Sequence, residues 1–227
     1  MSVATDAPVL EAVFASGSVL DAAGNPHPVH SHVPRDFAEA LLREVKKRKP
    51  RVVLEVGMAY GVSSLAIAYG LQPGARFISI DPFQNSQWEG IGKANVARTG
   101  AAHELVEELS HFALPRLLAE GLEVDFAYID GNHTFEAVLL DFFYIDKMLK
   151  VGGVVAFNDA GWPAIHRVLR FVTRHRKYRE IDVGLPKTYG KSLRNHIPNR
   201  LAGRFSADRY FEKVEDFEPR YDFWAPF

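Results

Sequence analysis

Four carboxylates in this chain each close a short apolar run. Glu55 follows Val52-Val53-Leu54, Asp81 follows Phe77-Ile78-Ser79-Ile80, and Asp130 follows Phe126-Ala127-Tyr128-Ile129; Asp159 comes after Val154-Val155-Ala156-Phe157 and Asn158. Each run reads as a buried strand, so each acid falls at a strand's C-terminal end, the edge at which open α/β sheets bind ligands. A single acid there is what chance or a helix N-cap would supply. Four on one edge form a site. Asp81 follows a glycine turn by roughly the 20 residues that separate such a turn from a ribose-binding acid, and a carboxylate can accept two hydrogen bonds from a diol. An Asp-Pro turn is the plain structural alternative at that position.

The turn itself lies in Arg51–Leu71, RVVLEVGMAYGVSSLAIAYGL. A strand ends at Glu55, Gly57 and Gly61 follow, and a helical pattern begins around Ser63-Ser64, which makes the front half of a βαβ unit. Glycines suit a backbone that must bend sharply or approach a ligand closely. The unsatisfied N–H groups of the new helix, with the Ser63 hydroxyl, can receive a carboxylate or a phosphate. Two other phosphate sites are excluded by spacing: a dinucleotide turn requires G-x-G-x-x-G, and a P-loop ends in Gly-Lys-Ser/Thr.

The elements that must position these residues alternate along the chain. Helix over 34–49, strand to Glu55, helix, strand to Asp81, helix over 85–100, an edge strand over 104–109, helix, strand to Asp130, helix over 135–149, a Gly152-Gly153 turn, strand to Asp159, helix over 164–175 and a strand over 179–184 predict an α/β protein. The sheet is expected to be doubly wound, mostly parallel and Rossmann-like, with helices on both faces. Residues 1–33 form a leader or lid segment, 34–184 the ligand-binding core, and 185–227 a basic loop and aromatic tail that complete the same domain. The leader carries His27, His30 and His32 in a proline-broken stretch; a metal cluster is one reading and a solvated loop the plainer one. The basic stretch 187–209 suits a rim for an anionic substrate or a partner, and equally a solvated loop or dimer element.

Bulk properties set the class. At 227 residues, 47% hydrophobic and 24% charged, the chain is an ordinary globular domain. The net charge of −1 argues against a protein dominated by nucleic-acid binding. With zero cysteines there is no disulfide, thiolate metal site or cysteine nucleophile. No apolar run approaches the ~20 residues that span a bilayer, and no signal peptide is read at the N-terminus, so no membrane association and a cytoplasmic location are expected.

The pattern E-x-G-x-x-x-G-x-S, followed by the strand-end acids, resembles the class I S-adenosylmethionine (SAM) methyltransferases over roughly residues 34–184. Within them it is most similar to the metal-assisted O-methyltransferases of sugars, antibiotics and catechols. The resemblance implies that Glu55 and Gly57, with Gly61 in the same turn, flank the methionine part of SAM, that Ser63 holds its carboxylate and that Asp81 binds the ribose. Ser110 and His111 would contact adenine, in a stretch S-x-x-x-x-P-x-L that matches the catechol type. Asp130 and Asp159 would be carboxylate ligands of a divalent metal, probed first as Mg²⁺, and His133 the general base acting on a small hydroxylated acceptor.

That chemistry suits the residue types. Methyl transfer from a sulfonium is an in-line displacement, so the catalyst positions the nucleophile and removes its proton. A histidine titrates near neutrality, and Mg²⁺ prefers a few oxygen ligands with positions left open. The sequence departs from the family in having Asn158-Asp159 where sugar-modifying relatives show two adjacent acids; Asn158 still offers a carbonyl oxygen but one charge is lost. Two alternatives stay open at this point: a metal-independent methyltransferase with His133 alone as base, and a SAM- or nucleotide-binding module without turnover. Flanking helices and tails often build dimers in such families, so a homo-oligomer is also open.

Overall fold

The computed structural model describes residues 7–185 and 208–227. Pro8 opens α1 (Pro8–Ser16), in the first turn where its missing N–H costs nothing, and Gly17 ends it at φ 66° with its N–H on Val13 O. The histidine-bearing leader, expected as a loop, is partly a hairpin: β1 (Ser18–Leu20) pairs antiparallel with β2 (Pro26–Pro28). Next, α2 (Arg35–Arg48) buries Phe37, Leu41, Leu42 and Val45 and carries Lys46, Lys47 and Arg48 in its last turn, where the helix dipole favours cations.

Strands and helices then alternate: β3 (Val52–Val56), α3 (Val62–Gly70), β4 (Arg76–Ile80), α4 (Ile91–Ala97), β5 (His103–Val106), α5 (Ser110–Ala119), β6 (Val124–Ile129), α6 (Phe135–Met148), β7 (Leu149–Phe157) and α7 (Pro163–His175). Two further strands, β8 (Tyr178–Ile181) and β9 (Arg209–Lys213), complete the sheet. Its seven strands lie in the order β5-β4-β3-β6-β7-β9-β8. The first five are parallel, and β9 runs antiparallel to both its neighbours. From β3 the chain moves outward to β4 and β5, then returns to the other side of β3 with β6. That reversal opens a crevice beyond the C-terminal ends of β3 and β6.

Helices cover both faces, so the strands are apolar on both. Val53, Phe77, Phe126, Tyr128 and Val154 share one core with α1, α2 and α3. Leu54, Ile78, Ala127, Val155 and Phe157 share the other with α5, α6 and α7.

The structure differs from the sequence expectation in three further elements. Gly152 and Gly153 do not separate two elements: β7 runs through them, with its pairing to β6 shifting between Val124 and Phe126. A Cβ at Gly153 would stand 2.8 Å from Lys150 O, so the irregularity needs the bare backbone. The helix expected over 85–100 is confined to α4, preceded by turns. β9, unexpected, is inserted between β7 and β8. The basic stretch falls outside the described residues except for Asp208 and Arg209. Among the described residues no helix is long and apolar enough to cross a membrane.

Candidate active site

The loop from β3 to α3 takes its shape from the two elements beside it. Gly57 sits at φ 87°, and a Cβ there would lie 2.1 Å from Asp130 O, so the loops after β3 and β6 can meet only with no side chain between them. Ala59 holds φ 46°, a costly conformation for an L-residue. Its N–H and that of Met58 donate to Asp81 Oδ2 at 2.8 and 3.1 Å. Gln84 Nε2 donates to the same oxygen at 3.1 Å and to Ala59 O at 2.7 Å. Asp81 Oδ1 accepts only the Phe83 N–H, at 2.9 Å, among the described residues. Asp81 therefore anchors the loop and keeps acceptor capacity on one oxygen.

Beneath the loop, Glu55 is fully buried. Ser63 Oγ donates to its Oε1 at 2.7 Å; Ser64 Oγ and Ser79 Oγ donate to its Oε2 at 2.5 and 2.7 Å. Burial pushes its pKa up to about 7, against the pull of the three serines. The single Ser79 proton goes to Glu55, so His103 Nε2, 3.0 Å from Ser79 Oγ, must be the donor in that contact. Burial lowers the His103 pKa to about 4, which keeps the ring neutral.

Over the switch point lies a cavity of about 560 Å³, well within the size range of small-molecule sites. Gly57, Ser63, Asp81 and Ser110 line it, and so do Asp130, His133, Asn158 and Asp159. Glu55, Gly61 and His111 do not: Glu55 lies beneath the serines, Gly61 packs on Gly92, and His111 is exposed beside Phe112. The leader supplies Ser31 to Pro34 as a further wall. His30 holds that segment to the core through a 2.6 Å hydrogen bond with Tyr60 Oη. The three leader histidines are dispersed: His27 pairs with Asp21 at 3.2 Å within the hairpin, and His32 lies against Phe14. Among the described residues no three His, Cys, Asp or Glu side chains gather as a metal site.

At that end of the cavity His133 Nε2 stands 3.5 Å from Asp130 Oδ1 and 3.9 Å from Asp159 Oδ2. The nitrogen is buried and makes no hydrogen bond among the described residues. Its ring lies 5.2 Å from that of Trp162. Burial opposes the charge on His133, but Asp130, Asp159 and the Asn158 amide outweigh it and raise the pKa. Burial pushes Asp130 up to about 6 and raises Asp159 as well. Asp159 sits at φ 47°, a second strained residue at this edge.

Behind Asn158 lies a residue the sequence did not single out. Asn158 Nδ2 donates to Asp208 Oδ1 at 3.0 Å and approaches Tyr128 Oη at 3.4 Å, while Tyr128 Oη donates to Asp208 Oδ2 at 2.7 Å. Burial pushes the Asp208 carboxyl well above the usual range. It lies 50 residues from Asn158, in a stretch that reads as a basic loop, and only the insertion of β9 brings it here.

Strand order, glycine turn and strand-end acids together define a class I methyltransferase fold. Residues 54–160 match a family described as a methyltransferase domain. The chain is similar to tapetum-specific methyltransferase 1 of Arabidopsis thaliana, 29% identical over 170 residues that span 73% of this chain and 71% of that one. It is 27% identical to a flavonoid 3',5'-methyltransferase of Vitis vinifera over 143 residues, 58% of this chain but only 56% of the relative. A crystal structure of an O-methyltransferase from Bacillus cereus in complex with S-adenosylhomocysteine (SAH) superposes with a TM-score of 0.67 at 19% identity, covering 92% of this chain and 91% of that one. The methyltransferase-domain match over 54–160 and the O-methyltransferase relatives together support a SAM-dependent methyltransferase.

Proposed function

We propose that this methyltransferase transfers the methyl group of SAM to a hydroxyl of a small molecule, with His133 as general base. The observation that carries this reading is the buried His133 Nε2, without a hydrogen bond among the described residues and poised between Asp130 and Asp159 on the wall of the cavity. A base needs a free nitrogen facing its substrate and a pKa near working pH. The relative named as a flavonoid 3',5'-methyltransferase points to hydroxylated aromatic acceptors as the first to try.

For the cofactor, the loop after β3 and the first turn of α3 suit the methionine end of SAM. The first-turn N–H groups lack intrahelical acceptors, and they are better placed for its carboxylate than the Ser63 hydroxyl, whose proton is committed to Glu55. Asp81 Oδ1 suits a ribose hydroxyl, and Ser110, on the wall at the start of α5, suits adenine. Glu55 and Gly61 act from outside the cavity, Glu55 by fixing the serines and Gly61 by shaping the start of α3, while exposed His111 has no such contact among the described residues.

The residues fit a divalent cation. Two carboxylates with raised pKa values share a half-buried space, and each gains from a positive charge between them. Oxygen donors from Asp130, Asp159 and the Asn158 amide match the hard-ligand preference of Mg²⁺. When bound, such a cation lowers the pKa of an acceptor hydroxyl. Neutralising the two carboxylates would also remove the pull that raises the His133 pKa, which favours the unprotonated form a base requires.

The test is methyl transfer from labelled SAM to a panel of flavonoid and catechol acceptors, with Mg²⁺ and in EDTA. His133→Ala is expected to lose about 10²- to 10⁴-fold in kcat with SAH affinity kept. Transfer undiminished in EDTA removes the cation and leaves His133 alone. Tight SAH binding with no transfer to any hydroxyl would leave only a binding module.

A further inference from the structure

We infer that Asp208 is a positioning residue: it fixes the Asn158 amide so that the carbonyl oxygen, and not the NH₂, is turned toward the cavity. The inference rests on the reading that Asn158 is an oxygen donor at the acid end of the site. An amide has two chemically opposite ends, and nothing about Asn158 alone decides which one faces a ligand. Asp208 decides it. Both of its oxygens accept from neighbours, and Oδ2 is already taken by Tyr128 Oη at 2.7 Å. Oδ1 receives Asn158 Nδ2 at 3.0 Å. The Tyr128 proton is spent on Asp208, so Tyr128 Oη meets the second Asn158 N–H, at 3.4 Å, as an acceptor. Both amide protons are thereby directed into the core, among side chains that are themselves buried. Asn158 Oδ1 is left on the cavity side, where Asn158 and His133 both line the wall.

The same geometry accounts for an asparagine here. A second carboxyl at 158 would face Asp208, whose charge burial already opposes, so the two could not both ionise and would have to share a proton. Asn158 and Asp208 form a matched amide–acid pair, brought together by β9 from 50 residues away.

The experiment is titration of Mg²⁺ into the SAH-saturated protein by calorimetry, for the parent, Asp208→Asn, Asn158→Asp and the exchanged double variant Asn158→Asp/Asp208→Asn. Asp208→Asn keeps volume but replaces two accepting oxygens with one oxygen and an NH₂, so Asn158 can turn its NH₂ outward. Mg²⁺ affinity is expected to fall about 10- to 100-fold, the range for partners that orient metal ligands, with SAH affinity unchanged. Asn158→Asp is expected to lower the melting temperature sharply, and the exchange to restore folding and Mg²⁺ binding, because the acid–amide pair is rebuilt in the opposite sense. A merely structural Asp208 would lower stability without moving Mg²⁺ affinity. Parent-like affinity in a folded Asp208→Asn protein, or no rescue by the exchange, overturns the inference and leaves the proposed function standing. A parent that takes up no Mg²⁺ removes the cation reading, and this inference with it.

Discussion

Glu55 stands where the sequence suggests a cofactor ligand, yet three serine hydroxyls hold its oxygens and the cavity begins above it. Its pKa of about 7 in the folded chain exceeds the 4.5 of an ordinary glutamate. Between those values the folded chain keeps a proton that the unfolded chain has released. Its contribution to stability is therefore complete below about pH 4.5 and is lost as pH rises through 7, by about 3 kcal/mol in total. Glu55→Gln keeps an acceptor for the serines and cannot ionise. Urea unfolding at steps from pH 5 to 8 should show the parent losing about that much relative to the variant; Asp130 and Asp141, also raised to about 6, cancel in the difference. A parent-minus-variant difference that stays flat with pH would show that Glu55 is ionised throughout. At this scale the acids at strand ends were legible because each follows an apolar run. What each oxygen touches was not: Asp81 shows that a strand-end acid can hold its own loop as well as face a ligand.

Among the elements, those with one dominant period were readable from sequence. Helix α2 has an unbroken apolar stripe and a cationic end, and β3, β4 and β6 are apolar runs closed by acids or turns. Strand β9 has neither feature. Arg209-Tyr210-Phe211-Glu212-Lys213 carries charge at both ends and adjacent aromatics, because a strand inside a sheet covered on both faces buries Tyr210 and Phe211 on opposite sides. Its place is fixed partly by Lys213, which is almost wholly buried. Lys213 Nζ donates to Asp146 O at 2.6 Å and to Leu149 O at 2.9 Å, carbonyls at the end of α6 that the helix itself cannot satisfy. It also meets Asp216 at 2.6 Å. Lys213→Met fills the same space and leaves both carbonyls unpartnered. The expected loss is about 2–4 kcal/mol in unfolding free energy, with an unchanged denaturant m-value. Because β9 also carries Asp208 at its entry, the variant should weaken Mg²⁺ uptake as well. A loss below about 0.5 kcal/mol, the size of an ordinary surface change, would mean that the carbonyls find other donors and that packing alone seats β9.

Seen whole, the molecule surrounds its cavity with parts far apart in sequence: the leader, the loops after β3, β4, β5, β6 and β7, and the strand that brings Asp208 behind Asn158. The leader is the part whose attachment is most open to test. Leu10, Val13 and Val19 anchor it in the core, Arg35 Nη1 grips Glu11 Oε1 at 2.7 Å, and the His30–Tyr60 hydrogen bond sets Ser31 to Pro34 against the cavity. Segments of this kind open sub-globally, at less cost than unfolding the sheet. If ligand binding requires the leader in place, SAH must oppose that opening by the same free energy with which it opposes unfolding. At 100 times Kd this is about 2.7 kcal/mol, a 100-fold slowing. Hydrogen exchange of the His30 to Val33 amides should slow by about that factor on saturation with SAH. Amides in α7, remote from the cavity, should slow only where their exchange requires global unfolding. Protection confined to the Gly57–Ser63 loop, with His30 to Val33 unchanged, would place the cofactor wholly on the sheet and leave the leader to face the acceptor alone.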